Sequence, residues 1–130
     1  MKYVILIHAN PDPWGHPTGH FTEEGRKLDP PQRAAMDRKF DELMHAISAS
    51  GELVVCEALA APAASTIYRW QGDAPVATDG PFAETKEQLA GFFLVDVESR
   101  ERAEEIAETF AHPGDVIELR PAMGGGGPEA

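Results

Sequence analysis

The most distinctive chemistry-bearing stretch of the chain is Thr78-Asp79-Gly80-Pro81-Phe82-Ala83-Glu84-Thr85-Lys86-Glu87. Gly80-Pro81 enforces a bend, and Thr85 with Gln88 has the spacing of a capping box. Asp79, Glu84, Lys86 and Glu87 are therefore expected around one turn, just ahead of the apolar run that begins at Leu89. A carboxyl partly withdrawn from water there would titrate at raised pH, making Asp79 or Glu84 a candidate general acid or base. Lys86 would hold an anion or an enolate-like charge. The same groups would equally serve as hydrogen bonds and solvated ion pairs that fix the turn.

Other constellations are sparser. His16 and His20 stand four apart with Asp12 close by, but in a Gly- and Pro-rich loop that spacing does not set two imidazoles on one helical face, so no metal site is expected. Trp14 in the same loop reads as a hydrophobic anchor. The single cysteine, Cys56, alternates with Val55 on a strand and reads as a buried inert thiol; alone it excludes an internal disulfide and a Cys-rich zinc site. No serine lies in Gly-x-Ser-x-Gly, and Gly124 to Gly127 lacks the Lys-Ser/Thr of a phosphate-binding loop. No cofactor is implied.

The elements that must position these groups are legible from periodicity. Met36, Phe40, Leu43, Met44 and Ile47 recur three and four apart, predicting an amphipathic helix from Pro31 to Ser50. Asp29 is its expected cap, with Pro30 at the first helical position, Gln32 three residues on from Asp29, and Gly51 to end it. A second helix is predicted from Ser99 to Ala111 on Ala103, Ile106, Ala107 and Phe110, stopped by His112-Pro113-Gly114. Strands are expected at Lys2 to His8, Leu53 to Ala58, Thr66 to Trp70, Val76 to Thr78, Leu89 to Val97 and Val116 to Arg120, the third and fourth joined as a hairpin through Gln71-Gly72-Asp73. The order is a doubled split unit with a hairpin inserted: an α+β, ferredoxin-like plan, one domain over residues 1–123 with a flexible glycine-rich tail at 124–130.

Both helices of such a plan lie on one face of the sheet. Yet Val4, Leu6, Phe92 and Leu94 make the other face apolar as well. Four or five such side chains are worth on the order of 10 kcal/mol when buried, so a second copy of the sheet is the expected cover, in a symmetric homodimer. A pocket near the dimer interface, between sheet, helices and loops, would suit a small organic molecule, and His8 and Asp96, at strand ends, are candidate polar groups in it. With 130 residues there is room for one domain. Eleven Lys and Arg against 22 Asp and Glu give a net charge of −11 with no basic patch, which argues against nucleic-acid binding. No apolar run approaches the length of a membrane span, and the amino terminus lacks a cleavage signal, so a soluble cytoplasmic protein is expected.

Asp79-Gly80-Pro81-Phe82 with Ala83-Glu84-Thr85-Lys86-Glu87, then Ala90-Gly91-Phe92-Phe93-Leu94-Val95-Asp96 and Val116-Ile117-Glu118-Leu119-Arg120-Pro121, resembles the DGPF branch of the YCII-related proteins. Met1-Lys2-Tyr3-Val4 and Thr66-Ile67-Tyr68-Arg69 fit it too. The resemblance implies a ferredoxin-like subunit in a dimeric α+β barrel, singles out Asp79 within the motif, and adds Arg69, Phe82 and Glu87 as ligand-binding candidates. It also implies, for some relatives, a His–Asp pair in the pocket with its histidine on the first helix; here Gln32 to Leu43 has none, and His45 lies near the far end. Acid–base catalysis on a small molecule without a cofactor is the expected function. A noncatalytic interaction or regulatory module, associated with sigma-factor-dependent transcription as relatives of this branch are, is the alternative.

Overall fold

Tyr3 and Ile5 are buried on one side of β1 (Lys2–Ala9), and the alternation that puts them there organises the whole sheet. The computed structural model describes residues 1–124; the rest of the expected flexible tail lies outside the described residues. After β1, a loop carries a short helix α1 (Glu23–Arg26), then α2 (Pro30–Ser50), β2 (Leu53–Ala58), β3 (Thr66–Gln71), β4 (Ala74–Asp79), β5 (Gln88–Asp96), α3 (Arg100–Phe110) and β6 (Val116–Pro121). Four strands form an antiparallel sheet in the order β2-β5-β1-β6, and β3 with β4 forms a separate hairpin. Without the hairpin the sequence of elements is β-α-β-β-α-β, the order found in ferredoxin-like domains.

Local chemistry explains the helix ends. Asp29 accepts from the Gln32 backbone N–H at 2.9 Å while the Asp29 N–H donates to the Gln32 side chain at 3.0 Å, a reciprocal capping box with Pro30 in the first turn. Gly51 closes α2 at φ 81°, in the left-handed region. Ser99 caps α3 through the Arg102 N–H. Arg102 then clamps Glu52 at 2.8 and 3.0 Å, which ties α3 to the residue before β2 and holds the Glu52 carboxyl below its usual range.

The core lies between the sheet and both helices. Tyr3, Ile5, Phe93 and Val95 meet Ile47 of α2 and Ala103, Ile106, Ala107 and Phe110 of α3, with the Phe93 and Phe110 rings stacked at 4.2 Å. The helices differ in how closely they sit. Four residues of α3 are buried, but Ile47 alone is fully buried in α2, and Phe40, Leu43 and Met44 remain half-buried. The amino-terminal half of α2 therefore stands over a space rather than a packed layer. On the opposite face, register aligns Val55, Leu94 and Val4 in one row and Phe92 with Leu6 in the next, an apolar surface that no element among the described residues roofs.

Candidate functional site

The space under α2 is a cavity of about 590 Å³. Asp37, Phe40, Asp41 and Met44 form its helical wall, three and four residues apart and so on one face. The sheet supplies Ile7, Cys56, Gly91 and Phe93, and Phe110 reaches in from the end of α3. The half-buried Cys56 thus borders the cavity. His16 to His20 come from the loop after β1, and His112 and Asp115 from the turn before β6.

Two segments distant in sequence are held together by close packing. Thr22, 2% exposed, accepts from the Gly25 N–H at 3.0 Å to cap α1 and donates to the Pro113 carbonyl at 2.8 Å. A Cβ on Gly25 would lie 1.7 Å from the Gly19 carbonyl oxygen; Gly114, at φ 89°, would meet Thr22 Oγ1 at 2.4 Å. Thr18 adds a 2.8 Å hydrogen bond to Asp115. This interlock sets His20 opposite Asp37, their Nε2 and Oδ1 atoms 2.8 Å apart.

A carboxylate can only accept, so His20 Nε2 donates and the neutral ring carries its lone pair on Nδ1. That arrangement orients an imidazole and supports the imidazolium that forms when Nδ1 takes a proton. His112 stands nearby against Phe40, ring centroids 6.0 Å apart; burial holds its titration below the usual histidine value, opposed by the Asp37 charge and reinforced by His20. Burial pushes the Asp115 carboxyl up to about 6, with its hydrogen bond from Thr18 working the other way. The wall thus combines an oriented histidine, a histidine whose charged form burial disfavours and a carboxyl held well above the usual carboxylate range. Trp14 and His16 each direct a ring nitrogen at the Leu59 carbonyl, both at 2.9 Å, pinning the loop to the end of β2. Among the described residues no three His, Cys, Asp or Glu side chains gather as a metal-ion site.

The expected site residues fall in several places. Asp79 ends β4, exposed, opposite Thr66, and Glu84 is exposed beyond it; neither lines this cavity. Lys86 and Glu87 border a smaller hollow of about 210 Å³ with Asn10, Thr22, Glu23, Glu24 and Asp115, which it shares with the larger cavity. No hydrogen bond or ion pair joins Asp79, Glu84, Lys86 and Glu87 to one another among the described residues. Thr85 and Gln88 do bond, at 3.2 Å, but the Gln88 amide also takes the Ala83 and Thr85 carbonyls and clamps a turn that leads straight into β5. Arg69 covers the Phe82 ring at 5.4 Å on the hairpin side, with Phe82 72% exposed. His8 points to the unroofed face and meets Glu118 at 3.2 Å, and Asp96 takes the Met1 amino group at 3.0 Å.

Sequence reasoning passed over Asp37, His112 and Asp115. A signal for Asp37 exists: it precedes Phe40 by three and Met44 by seven, a charge inside the apolar stripe. The partner histidine comes from the loop rather than from the helix, the reverse of the arrangement that the family resemblance suggests.

Residues 1–120 match the YCII-related domain. An uncharacterized protein of Rhizobium meliloti (strain 1021) is 34% identical over 79 residues, covering 61% of this chain and 58% of that relative. The matched stretch thus spans a little over half of the curated relative.

Proposed function

The chain belongs to the YCII-related family, and we propose that it binds a small organic molecule in the cavity beneath α2 and acts on it by acid–base chemistry without a cofactor. The observation that carries this reading is the His20–Asp37 pair, 2.8 Å apart, on the wall of an apolar cavity large enough for a one- or two-ring molecule. His20 Nδ1 is the proposed proton-transfer atom, Asp37 orients it, and Asp115 is a second proton carrier on the same wall. Asp79 is assigned no proton transfer, because it stands exposed at the hairpin end and borders neither cavity.

Assignment to the DGPF branch rests on the Asp79-Gly80-Pro81-Phe82 motif and its flanks. The strand order and the apolar outer face support a ferredoxin-like subunit in a dimeric α+β barrel, with Val4, Leu6, Phe92 and Leu94 at the interface. No helix among the described residues is long and apolar enough to cross a membrane, and a cytoplasmic setting is part of the proposal.

A metabolite pool incubated with the purified protein and read by mass tests the assignment. The wild type should deplete or retain at least one compound, Asp79→Asn should do the same, and His20→Gln should reduce turnover by about 10²-fold or more. Equal behaviour of His20→Gln and wild type would remove the pair from the mechanism. One observation favours the second reading, a noncatalytic regulatory module associated with sigma-factor-dependent transcription: Tyr68 and Trp70 on the hairpin are each 70% exposed, aromatic surface that a protein partner would cover. An inert His20→Gln together with a partner lost on Trp70→Ala would favour that reading.

A further inference from the structure

The charge of the cavity wall bears on what enters it, an inference that rests on the cavity being the binding site. None of its lining residues is a lysine or an arginine. Asp37, Asp41 and Asp115 stand on the wall, while Glu57 contributes from an edge strand whose register turns its side chain to the opposite face. Asp37 is engaged by His20 and Asp115 by Thr18, whereas Asp41 has no hydrogen-bond or ion-pair partner among the described residues. A carboxylate or phosphate ligand would lose its hydration here and meet like charge, with His16, His20 and His112 on the wall but no permanent cation to receive it. A ligand with an apolar body would instead cover Phe40, Met44 and Phe93 and lose little on desolvation.

From these features we infer that the cavity takes an organic amine: a compact aromatic or alkyl body against the phenylalanines, with its protonated nitrogen at the Asp41 side of the mouth. The whole chain's charge of −11 attracts the cation from solution. The carboxylate of Asp41 is exposed, so its share of the affinity is screened by salt.

The test uses three probes of one shape with different heads: 2-phenylethylamine, 2-phenylethanol and 3-phenylpropionate, titrated at pH 7.5 in low salt. Binding is located by the NMR signals of the His20 and His112 rings. The amine should bind about tenfold or more tightly than the other two. Asp41→Asn should cost the amine about threefold to tenfold and leave the alcohol unchanged, and Asp41→Lys should turn the preference toward the carboxylate. An alcohol or carboxylate that shifts the same rings as strongly as the amine would overturn the amine inference and leave the cavity reading standing. If no probe moves either ring, both fall. An amine whose affinity ignores both Asp41 variants would also overturn the inference.

Discussion

At the scale of single residues, the cavity is built from groups whose surroundings push them in different directions. His20 is oriented by a carboxylate, burial disfavours the charged form of His112, and Asp115 holds its proton to about pH 6. The last has a consequence for stability. A carboxyl that titrates at 3.8 when unfolded and about 6 when folded binds its proton more tightly in the native state. It therefore costs stability as pH rises through that window, and the deficit persists above it. Asp115→Asn keeps an acceptor for Thr18 and removes the penalty. The variant should match the wild type near pH 3.5 and exceed it by about 1–2 kcal/mol at pH 7.5, after allowance for partial solvent access. Urea unfolding at the two pH values checks this, and an equal difference at both would contradict it. His112 contributes with the opposite sign, since its lowered titration makes the native state gain stability as pH rises toward the ordinary histidine value, above which the gain is complete.

Secondary-structure elements separate into those set by local chemistry and those set by distant contacts. The cap at Asp29, the stop at Gly51 and the hairpin turn at Gly72, with φ 65°, each act within a few residues. Both long helices and all six strands lie within about two residues of where periodicity puts them. The helix α1 was not legible: it spans four residues, too few to show a period, and exists because Thr22 caps it while bonding to Pro113 across the fold. The site was opaque for the same reason. His20 and Asp37 are 17 residues apart along a loop whose path is set by Thr22, Gly25 and Gly114, so neither spacing nor composition announces the pair. Gly25→Ala tests this dependence. Its Cβ would run into the Gly19 carbonyl, and the loop should yield at a cost of about 1–3 kcal/mol, read as a lowered Tm. A lost ring contact between His20 and α2 in NMR should accompany it; a Tm equal to wild type would show that the interlock is dispensable.

For the molecule as a whole, the sheet is the divide. One side carries the helices, the core and the cavity; the other presents Val4, Leu6, Phe92 and Leu94 with no element among the described residues above them. The twofold assembly proposed for that side makes a sharp demand on solution behaviour. Wild-type protein should sediment as a dimer, and Leu6→Glu, a charge set in the middle of the apolar face, should yield a folded monomer. A wild type that sediments as a monomer would contradict the assembly while leaving the cavity untouched, because the two lie on opposite sides of the sheet. The claim on which the functional reading turns is that chemistry happens beneath α2, at His20. A crystal structure with a bound compound from the metabolite pool tests it most directly. Density is expected between Phe40 of α2 and Phe93 of the sheet, with a polar atom of the compound within hydrogen-bond reach of His20 Nδ1 and the Asp37 contact intact; density at the hairpin instead, or His20 turned away from an occupied cavity, would refute that claim.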